Sequence, residues 1–529
     1  ILEKRLKSHG NQKSDTAHLL LTLVFNIACG RTPFYELQEW LSKIDGRVFG
    51  FQSPCAGSLL NDDIFGRALD KLFETDRSSL MTEIAVSTIK NINLDVSHLH
   101  NDSTTVKTFG KYPGKTKTGF YLANGKSKDH RPDLKQLLFT LTVSADGAVP
   151  IHYKTYPGNR TDDTTHIETW ESICAIAGRN TFLYVADSKV CTDSQLSYIT
   201  KRGGRIITIM PETWGECARF KNELRKHQKI KRRIWRRLIP EKDNEYETFS
   251  VFNDKTHTQK RGYRIYWIYS SEKKKRDREI RENVLKKVEK ELAGLTSRIN
   301  RRNLKTHKQI SEYINSILNN YGVKSFYHIS IFKTKEYYRQ QKKRGRPGST
   351  TEYKTIEKVV YTVAWARNTS LLAQEKRVDG IFPLLTTDNE ICAKDALKSY
   401  KYQPRLEKRF TQFKDIHNAA PLLFKKLERI ESVMFVFFLA MIVQAVIERE
   451  IRREMQKQNI KWLPVYPEGR ISYHPTTAKV FDRFDGISIY HRLKGKKVIQ
   501  KYRDSLNKLQ KQILKMLTIS EKEYWSDIS

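Results

Sequence analysis

The chain has 529 residues, and its 96 lysines and arginines against 59 aspartates and glutamates give a formal net charge of +37. This excess of positive charge is larger than solubility requires and indicates a polyanionic partner, of which nucleic acid is the commonest and an anionic membrane surface the alternative. No segment reaches the roughly 18 unbroken apolar residues of a membrane span, and the longest apolar run, residues 433–443, predicts a buried helix. The six cysteines form no CxxC pair, which argues against a zinc site or a disulfide framework.

Residues 1–90 predict a helical domain. Asp15 is positioned to cap a helix whose apolar run ends at residues 29–30. In the stretch NDDIFGRALDKLF, apolar residues recur at helical spacing, with Asp62 or Asp63 as the cap. A small helical bundle at the N-terminus of a basic protein can bind DNA ends. A domain that only packs against the rest of the protein fits the same residues equally well.

Residues 91–210 change to a strand pattern. Alternating apolar residues at 92–96 predict a strand that leads to Asp102. Two further apolar runs flank Asp146 and Gly147, a dipeptide typical of a tight β-hairpin. The region therefore begins with three antiparallel strands.

Helices and strands alternate after this hairpin. A helix near 165–178 precedes TFLYVAD, a short apolar strand that ends on Asp187, and a helix at about 192–202 leads to the apolar strand RIITIMP. This order predicts an α/β sheet of the ribonuclease-H type. In such a sheet Asp102 on the first strand and Asp187 at the end of the fourth can come together. Two acids at strand ends also occur by chance, so a metal site needs a third acid.

Residues 211–395 interrupt the α/β order with a mixture of helix and strand patterns, and we call this stretch the insertion. Strand-like segments surround a long amphipathic helix dense in lysine and arginine. The segment QKKRGRPGST contains Arg344 and Arg346 in a basic, extended setting. Such a segment can lie in an A·T-rich minor groove, where the negative potential attracts inserted arginines. A solvated loop without a DNA contact fits the same residues equally well.

The third acid comes from the stretch YKYQPRLEKRFTQFK. Pro404 suits the first position of a helix, which leaves Tyr400 just before that helix. Offsets of 0, 3, 7 and 14 fall within about 60° on an α-helix, and they group four residues of this stretch: Tyr400, Gln403, Glu407 and Lys414. A lone glutamate on a basic helix is commonly a solvated ion pair, and the two upstream aspartates favour a metal ligand instead.

The patterns divide the chain into five regions. They are an N-terminal helical region that would bind DNA ends (1–90), the first part of a ribonuclease-H-like core (91–210), the insertion (211–395), the second part of the core with the Glu407 helix (396–460), and a C-terminal helical region (461–529).

Four motifs in this order carry a resemblance. They are LHNDSTTVKTFG with Asp102, then GKSKDHRPDLKQLLFTLTVSADGAVP, then LYVADSKVCTDSQLSYITKRGGRIITIMP with Asp187, and finally RVDGIFPLLTTD leading to Glu407. Together they resemble the DDE transposases of bacterial and archaeal insertion sequences, in the branch whose last catalytic region carries a Tyr-x2-Arg-x3-Glu-x6-Lys signature. Gln403 stands where that signature has arginine.

The resemblance implies a ribonuclease-H-like catalytic core that cleaves DNA strands at transposon ends and transfers them into target DNA. It also implies that residues 211–395 are a large inserted α+β domain between the last strand of this core and the Glu407 helix. It implies two Mg²⁺ ions, replaceable by Mn²⁺, held by Asp102, Asp187 and Glu407. The implied partner is double-stranded DNA, as terminal inverted repeats and as target, bound by a homodimer. The candidate DNA contacts are Tyr400, Gln403, Lys414, Lys189, Arg344 and Arg346.

Two other functions share the charge and the fold. One is a catalytically silent DNA-binding protein derived from a transposase, and the other is a ribonuclease-H-like nuclease that cuts strands without joining them. The sequence carries no signal-peptide pattern at its start, and the scattered cysteines fit a reducing compartment. We therefore expect a cytoplasmic protein that associates with the nucleoid and not with a membrane.

Overall fold

The computed structural model describes residues 1–6, 15–30, 32–51, 60–125, 131–239, 245–254, 256–301, 303–416, 424–494 and 497–526. Residues 126–130 of the motif GKSKDHRPDL lie outside these ranges. The chain divides into two compact units, and each is described by itself. Unit 1 comprises Ile1–Thr208, Thr386–Ile391 and Asp395–Ser529, and unit 2 comprises Ile209–Leu385 and Cys392–Lys394. Helices and strands are numbered along the chain.

Unit 1 begins with five helices: α1 (Leu2–Arg5), α2 (Thr16–Ala28), α3 (Leu37–Ser42), α4 (Asp62–Phe73) and α5 (Arg77–Asn91). Asp15 caps α2, as predicted, and its side chain accepts a hydrogen bond from the Ala17 N–H. The predicted cap of α4 is wrong by one residue, because the Asn61 side chain accepts the hydrogen bond from the Ile64 N–H at 3.1 Å. Asn61 has the extended backbone that a cap requires, whereas Asp62 is already helical.

Five strands follow: β1 (His98–Lys107), β2 (Gln136–Ser144), β3 (Pro150–Pro157), β4 (Leu183–Val185) and β5 (Arg205–Ile209). Their order is β3-β2-β1-β4-β5. The first three strands are antiparallel, and β4 and β5 run parallel to β1. Helices α6 (His166–Ala177) and α7 (Asp193–Lys201) connect the parallel strands. This is the predicted ribonuclease-H order, and the predicted mixed α/β fold class is confirmed.

The hairpin between β2 and β3 turns at Asp146 and Gly147, as predicted. Gly147 has φ +83°, and a Cβ at this position would lie 2.7 Å from the Arg449 side chain. Both the left-handed backbone and the close approach therefore require glycine.

The start of β1 differs from the prediction, since residues 92–97 form no strand. The Asp95 side chain accepts hydrogen bonds from the Ser97 N–H and hydroxyl, which holds a turn where the alternating pattern predicted a strand. Asp102 is consequently the fifth residue of β1, paired with Leu141 of β2, and not a strand-end residue.

The core of unit 1 surrounds helix α14 (Leu427–Lys457). By length and composition this helix could cross a membrane, and 78% of its most apolar 18-residue window is buried inside the protein. A helix that is apolar on all sides is typical of a protein core. Its aromatic side chains share one hydrophobic cluster with α2, α4 and β2. The N-terminal helices therefore pack on the sheet and on α14, and not as a separate core.

Helices α12 (Ala393–Tyr400) and α13 (Gln403–Thr411) precede α14. Pro404 is the second residue of α13, one position later than predicted. The C-terminal elements are α15 (Thr477–Phe481), β13 (Ile489–Lys494), β14 (Lys497–Arg503), α16 (Lys508–Met516) and α17 (Glu521–Ser526). In its described residues, the region predicted as helical, 461–529, therefore contains three helices and also the antiparallel β13–β14 hairpin.

In the residues that the structure describes, unit 2 has four α-helices and seven strands. The helices are α8 (Gly215–Lys226), α9 (Ser271–Thr296), α10 (His307–Asn320) and α11 (Thr369–Glu375), and the strands are β6 (Lys231–Leu238), β7 (Tyr246–Phe252), β8 (Thr256–His257), β9 (Arg264–Ser270), β10 (Tyr327–Gln341), β11 (Tyr353–Arg367) and β12 (Ile381–Thr386). Strands β12, β9, β7 and β6 are neighbours in that order, and β8 pairs with β9.

Strands β10 and β11 form a two-stranded hairpin of 15 residues on each side, from the pair Tyr327–Arg367 to the pair Gln341–Tyr353. Its base packs on the cluster formed by α9 and α10. The distal half is exposed, and at about 3.4 Å per residue the hairpin is on the order of 50 Å long. We call it the β-arm.

Candidate active site

Asp102 and Asp187 lie on neighbouring parallel strands of unit 1. The β1–β4 ladder pairs His100 with Val185, and each acid follows two residues later. Asp187 keeps an extended backbone beyond β4, with φ −68° and ψ −178°. Because side chains two residues apart in an extended chain point to the same face, the two acids occupy matching positions on one face of the sheet.

Local hydrogen bonds hold both aspartates. The Asp187 carboxylate accepts a hydrogen bond of 3.0 Å from the Lys189 N–H, and its carbonyl accepts one of 2.6 Å from the Thr208 hydroxyl. The Asp102 carboxylate accepts a 2.7 Å hydrogen bond from the Ser103 N–H. Both aspartates are half-buried, so each has access to solvent from a fixed backbone.

Glu407 comes from α13, and Gln403 attaches this helix to β1. The His100 Nδ1–H donates to Gln403 Oε1 at 3.1 Å, and Gln403 Nε2 donates to the Asn101 carbonyl at 3.0 Å. These two contacts immediately precede Asp102 in the chain. Glu407 lies one helical turn after Gln403, on the same side of α13, and is exposed.

Arg409 attaches α13 from its other side. Its guanidinium donates to the carbonyls of Ala148 and Gly147, both at 3.1 Å, and pairs with Glu448 of α14 at 2.9 Å. Both charged side chains are more than nine-tenths buried. Removing one partner of such a buried pair costs roughly 3–5 kcal/mol, so this contact fixes the helix that carries Glu407.

The three acids act together on the hydroxyl of Tyr400, the last residue of α12. The pKa of Tyr400 is raised to about 12, mainly by burial and further by three carboxylates: Asp187, Asp102 and Glu407. Because electrostatic effects fall off with distance, this common influence places the three acids in the neighbourhood of one phenol. Tyr400 therefore stays protonated at neutral pH and can donate a hydrogen bond.

The donor set fits a hard divalent cation, although the side chains do not form a closed metal site. Among the residues that the structure describes, no three His, Cys, Asp or Glu side chains lie close enough to hold a metal ion. Carboxylate oxygens are the ligands that Mg²⁺ prefers, and Mg²⁺ keeps several waters when it binds. Asp102, Asp187 and Glu407 are the residues that would hold such an ion.

Gln403 requires a correction. Its predicted contact with DNA does not fit its position, because the side chain is 7% exposed and both ends of its amide are hydrogen-bonded to β1. Gln403 instead positions α13. Nothing in the sequence links it to His100, some 300 residues upstream, so sequence reasoning missed both this partner and the anchoring role of Arg409.

The predicted lysines differ in their surroundings. Lys189 is exposed beside Asp187. Lys414 is half-buried and lies in a single π-helical turn, Gln412–Ile416, that follows α13. A π turn changes the helical phase, so the regular spacing that grouped Lys414 with Glu407 does not apply.

Arg344 and Arg346 belong to unit 2, where they lie in the loop at the tip of the β-arm. Both side chains are exposed. The loop is closed by a 3.0 Å hydrogen bond between the Lys342 N–H and the Glu352 carbonyl. The tip thus presents two arginines to solvent on a defined turn.

A family model described as a domain of unknown function (DUF4277) matches residues 1–86. No curated protein matches the chain. A piggyBac transposase synaptic complex with hairpin DNA is similar at 11% identity and a TM-score of 0.24, over 48% of this chain and 53% of that one. A pre-cleavage Mos1 transpososome is similar at 11% identity and a TM-score of 0.15, over 38% and 61%.

A Mos1 mariner paired-end complex with Mn is similar at 10% identity and a TM-score of 0.15, over 39% of this chain and 62% of that one. The chain thus spans about half to three-fifths of the length of these three solved chains. The functional conclusion therefore rests on the site residues and the sequence motifs.

Proposed function

We propose that the chain is a metal-dependent DNA transposase, which cleaves DNA at the ends of a mobile element and joins the freed end to target DNA. The observation that carries the proposal is the placement of Asp102 and Asp187 on one face of neighbouring parallel strands, with Glu407 on a helix that is hydrogen-bonded to the same strand as Asp102. The ribonuclease-H strand order, the ordered motifs around the acids and the net charge of +37 support it.

The reaction needs an attacking oxygen, a stabilised leaving oxygen and a held phosphate. Divalent ions held by Asp102, Asp187 and Glu407 would activate the attacking water or 3′-hydroxyl and stabilise the leaving oxygen. Tyr400 is protonated at working pH, so it can donate a hydrogen bond to a phosphate oxygen as negative charge develops. Gln403 and Arg409 keep Glu407 at the site by fixing α13.

The proposed DNA contacts separate positioning from chemistry. Lys189 and Lys414 would contact phosphates near the acids, and such contacts position DNA without reading its sequence. The β-arm is a two-stranded ribbon, a shape that the major groove of DNA admits, and its tip would place Arg344 and Arg346 against the duplex. A homodimer that binds two transposon ends is part of the proposal.

The test of the function is a strand-cleavage and strand-transfer assay. Labelled duplexes carrying the inverted repeats that flank the coding region are incubated with target plasmid, with Mg²⁺ or with EDTA. We expect Mg²⁺-dependent cleaved ends and joined products, both absent for Asp187→Asn. Cleavage without joining would identify a nuclease, binding without cleavage would identify a silent DNA-binding protein, and either result would overturn the proposal.

The test of the β-arm compares two double variants by the salt dependence of duplex binding. Arg344→Ala with Arg346→Ala should flatten the slope of log affinity against log salt by about 2, since each phosphate contact contributes about 0.9. The control, Lys287→Ala with Lys290→Ala, removes the same charge from exposed positions on α9. Equal slopes of log affinity against log salt for the two double variants would show that the tip of the β-arm does not contact DNA.

A further inference from the structure

A basic cavity of about 750 Å³ lies in unit 1, bordered by α13, α14, the β2–β3 turn and the segment that leads into α15. On α13 its lining includes Tyr402, Arg405 and Arg409, whose offsets of 0, 3 and 7 place them on one side of the helix. Glu407, five residues after Tyr402, points about 140° away from that residue. The centre of the cavity lining on α13 is therefore on a different side of the helix from Glu407.

Four basic side chains converge on this cavity. The pKa of His474 is lowered by partial enclosure of its ring and further by the positive charges of Arg405, Arg452 and Lys408. All four residues line the cavity. Because these effects act through short distances, they place three permanent cations around one imidazole.

The acidic side chains that line the cavity form ion pairs with buried arginines. Glu448 pairs with Arg409 at 2.9 Å and with Arg452 at 3.3 Å. Asp146 pairs with Arg449 at 2.5 Å. The carboxylates that line the cavity thus neutralise the buried arginines, and they do not neutralise the other cations of the cavity.

Two of the cavity cations, Arg405 and Lys408, have no counter-charge among the described residues. Neither Arg405 nor Lys408 forms an ion pair or a side-chain hydrogen bond there, and the buried Nε of Arg452 has no hydrogen-bond partner. Burial also lowers the pKa of Arg452, and Arg409 and Arg405 contribute to the same shift. Clustered like charges are unfavourable unless an anion offsets them, so the cluster is organised for a ligand that the protein does not supply.

We propose that this cavity binds a phosphate group. Arginine offers paired donors that match phosphate oxygens, and lysine adds a point charge. A volume of about 750 Å³ is larger than one phosphate needs and admits a sugar-phosphate segment. Because Asp102, Asp187 and Glu407 do not line the cavity, the phosphate bound there is not the one that is cleaved.

The phosphate has two sources, the backbone of a DNA strand or a free phosphate compound. Only the first source rests on the proposed function, because a chain without transposase activity can still bind free phosphate. Binding also requires no cleavage, so the two proposals fail in distinguishable ways.

The experiment uses the full chain and two double variants. Arg405→Gln with Lys408→Gln removes two charges at the cavity and keeps polar side chains there, and Lys90→Gln with Lys201→Gln makes the same kind of change at exposed positions elsewhere in unit 1. Calorimetry measures pyrophosphate binding, gel shift measures duplex binding, and thermal unfolding confirms that both variants are folded.

We expect the cavity variant to bind pyrophosphate about tenfold more weakly or worse, since it loses two charge-assisted contacts, while the control stays close to wild type. Parallel loss of duplex affinity in the cavity variant assigns the site to DNA backbone, and unchanged duplex affinity assigns it to a free phosphate compound. If the cavity variant and the control bind pyrophosphate and duplex equally well, the cavity is not a phosphate site.

Discussion

Helix α13 carries a negatively charged residue toward one site and positively charged residues toward another, and the neighbouring side chains differ between the two sites. On one side, Glu407 is exposed and joins two aspartates in their effect on Tyr400. On the other, Arg405 and Lys408 face a cavity whose acids are already paired. The difference shows why net charge alone does not reveal how a helix acts, since one helix separates a site suited to a cation from a site suited to an anion.

The largest expected effect tests the acid side. Glu407→Gln keeps the shape of the side chain and removes the charge that would hold a metal ion. Cleavage and joining should fall by about three orders of magnitude, while duplex affinity should stay near wild type because it comes from contacts to phosphates. Initial cleavage rates and gel-shift affinities measure the two effects separately.

The matched control is Glu36→Gln, which changes an exposed glutamate in the N-terminal region of unit 1. It should leave both cleavage and binding unchanged. Near wild-type cleavage by Glu407→Gln would mean that the third acid lies elsewhere and that the acid side of α13 has no catalytic role.

The next effect tests the attachment of α13 to β1. Gln403→Leu leaves the His100 imidazole and the Asn101 carbonyl without their partner, which should cost about 1–3 kcal/mol of unfolding free energy. A displaced Glu407 should also lower the cleavage rate constant by about tenfold to a hundredfold, with little change in KM for DNA ends. Urea unfolding and single-turnover kinetics measure the two.

Gln403→Glu serves as the comparison, because it keeps the acceptor for His100 but places a carboxylate against the Asn101 carbonyl in a buried position. It should be destabilised at neutral pH and regain part of that stability at acid pH, where the protonated carboxyl can donate to the Asn101 carbonyl. Gln403→Arg, which restores the residue of the transposase signature, should destabilise the fold, since it places a longer charged side chain in a buried position. A gain in stability and DNA affinity for the arginine variant would return Gln403 to the DNA interface.

The smallest effect tests the basic side by pH. The groups that face His474 are Arg405, Arg452 and Lys408, and with the enclosure of the ring they lower its pKa. The neutral form is therefore favoured in the free protein, and the stability from this shift is present above the unfolded pKa of about 6.5 and is lost as pH falls through the folded value. A bound phosphate favours the protonated form and reverses the preference.

Duplex binding should therefore strengthen a few-fold between pH 7.5 and about 5.5 in the wild type at fixed salt, and His474→Asn should remove this gain. Fluorescence anisotropy across that range measures it. A pH dependence that is identical in wild type and variant would show that His474 is not coupled to the bound anion.

The parts of the fold that the sequence predicts well are those with a local apolar signal. Helices α6 and α7 and the short strands β4 and β5 match their predicted positions because apolar residues mark both the period and the ends. The turn at Asp146 and Gly147 is equally local, since one glycine provides the left-handed backbone.

The features that the sequence does not predict depend on contacts between residues that are distant in the chain. The distal β-arm has mostly polar, exposed residues and no apolar face, so its strands extend well beyond the apolar segments that predicted them. Cross-strand pairs such as Lys335 with Glu357, at 2.8 Å, support it instead. The sequence predicts Gln403 as a surface residue, because its partners belong to β1 and are distant in the chain. The cavity cations of α13 are visible in the sequence only as part of the general positive charge.

The most direct test of the central claim is the anomalous difference map of a crystal of the full chain soaked in Mn²⁺. We expect a peak coordinated by Asp102, Asp187 and Glu407 beside Tyr400, and no peak in the basic cavity lined by Arg405 and Lys408. A map without a peak at these acids, or with Mn²⁺ bound by other side chains while Glu407 points to solvent, would contradict it.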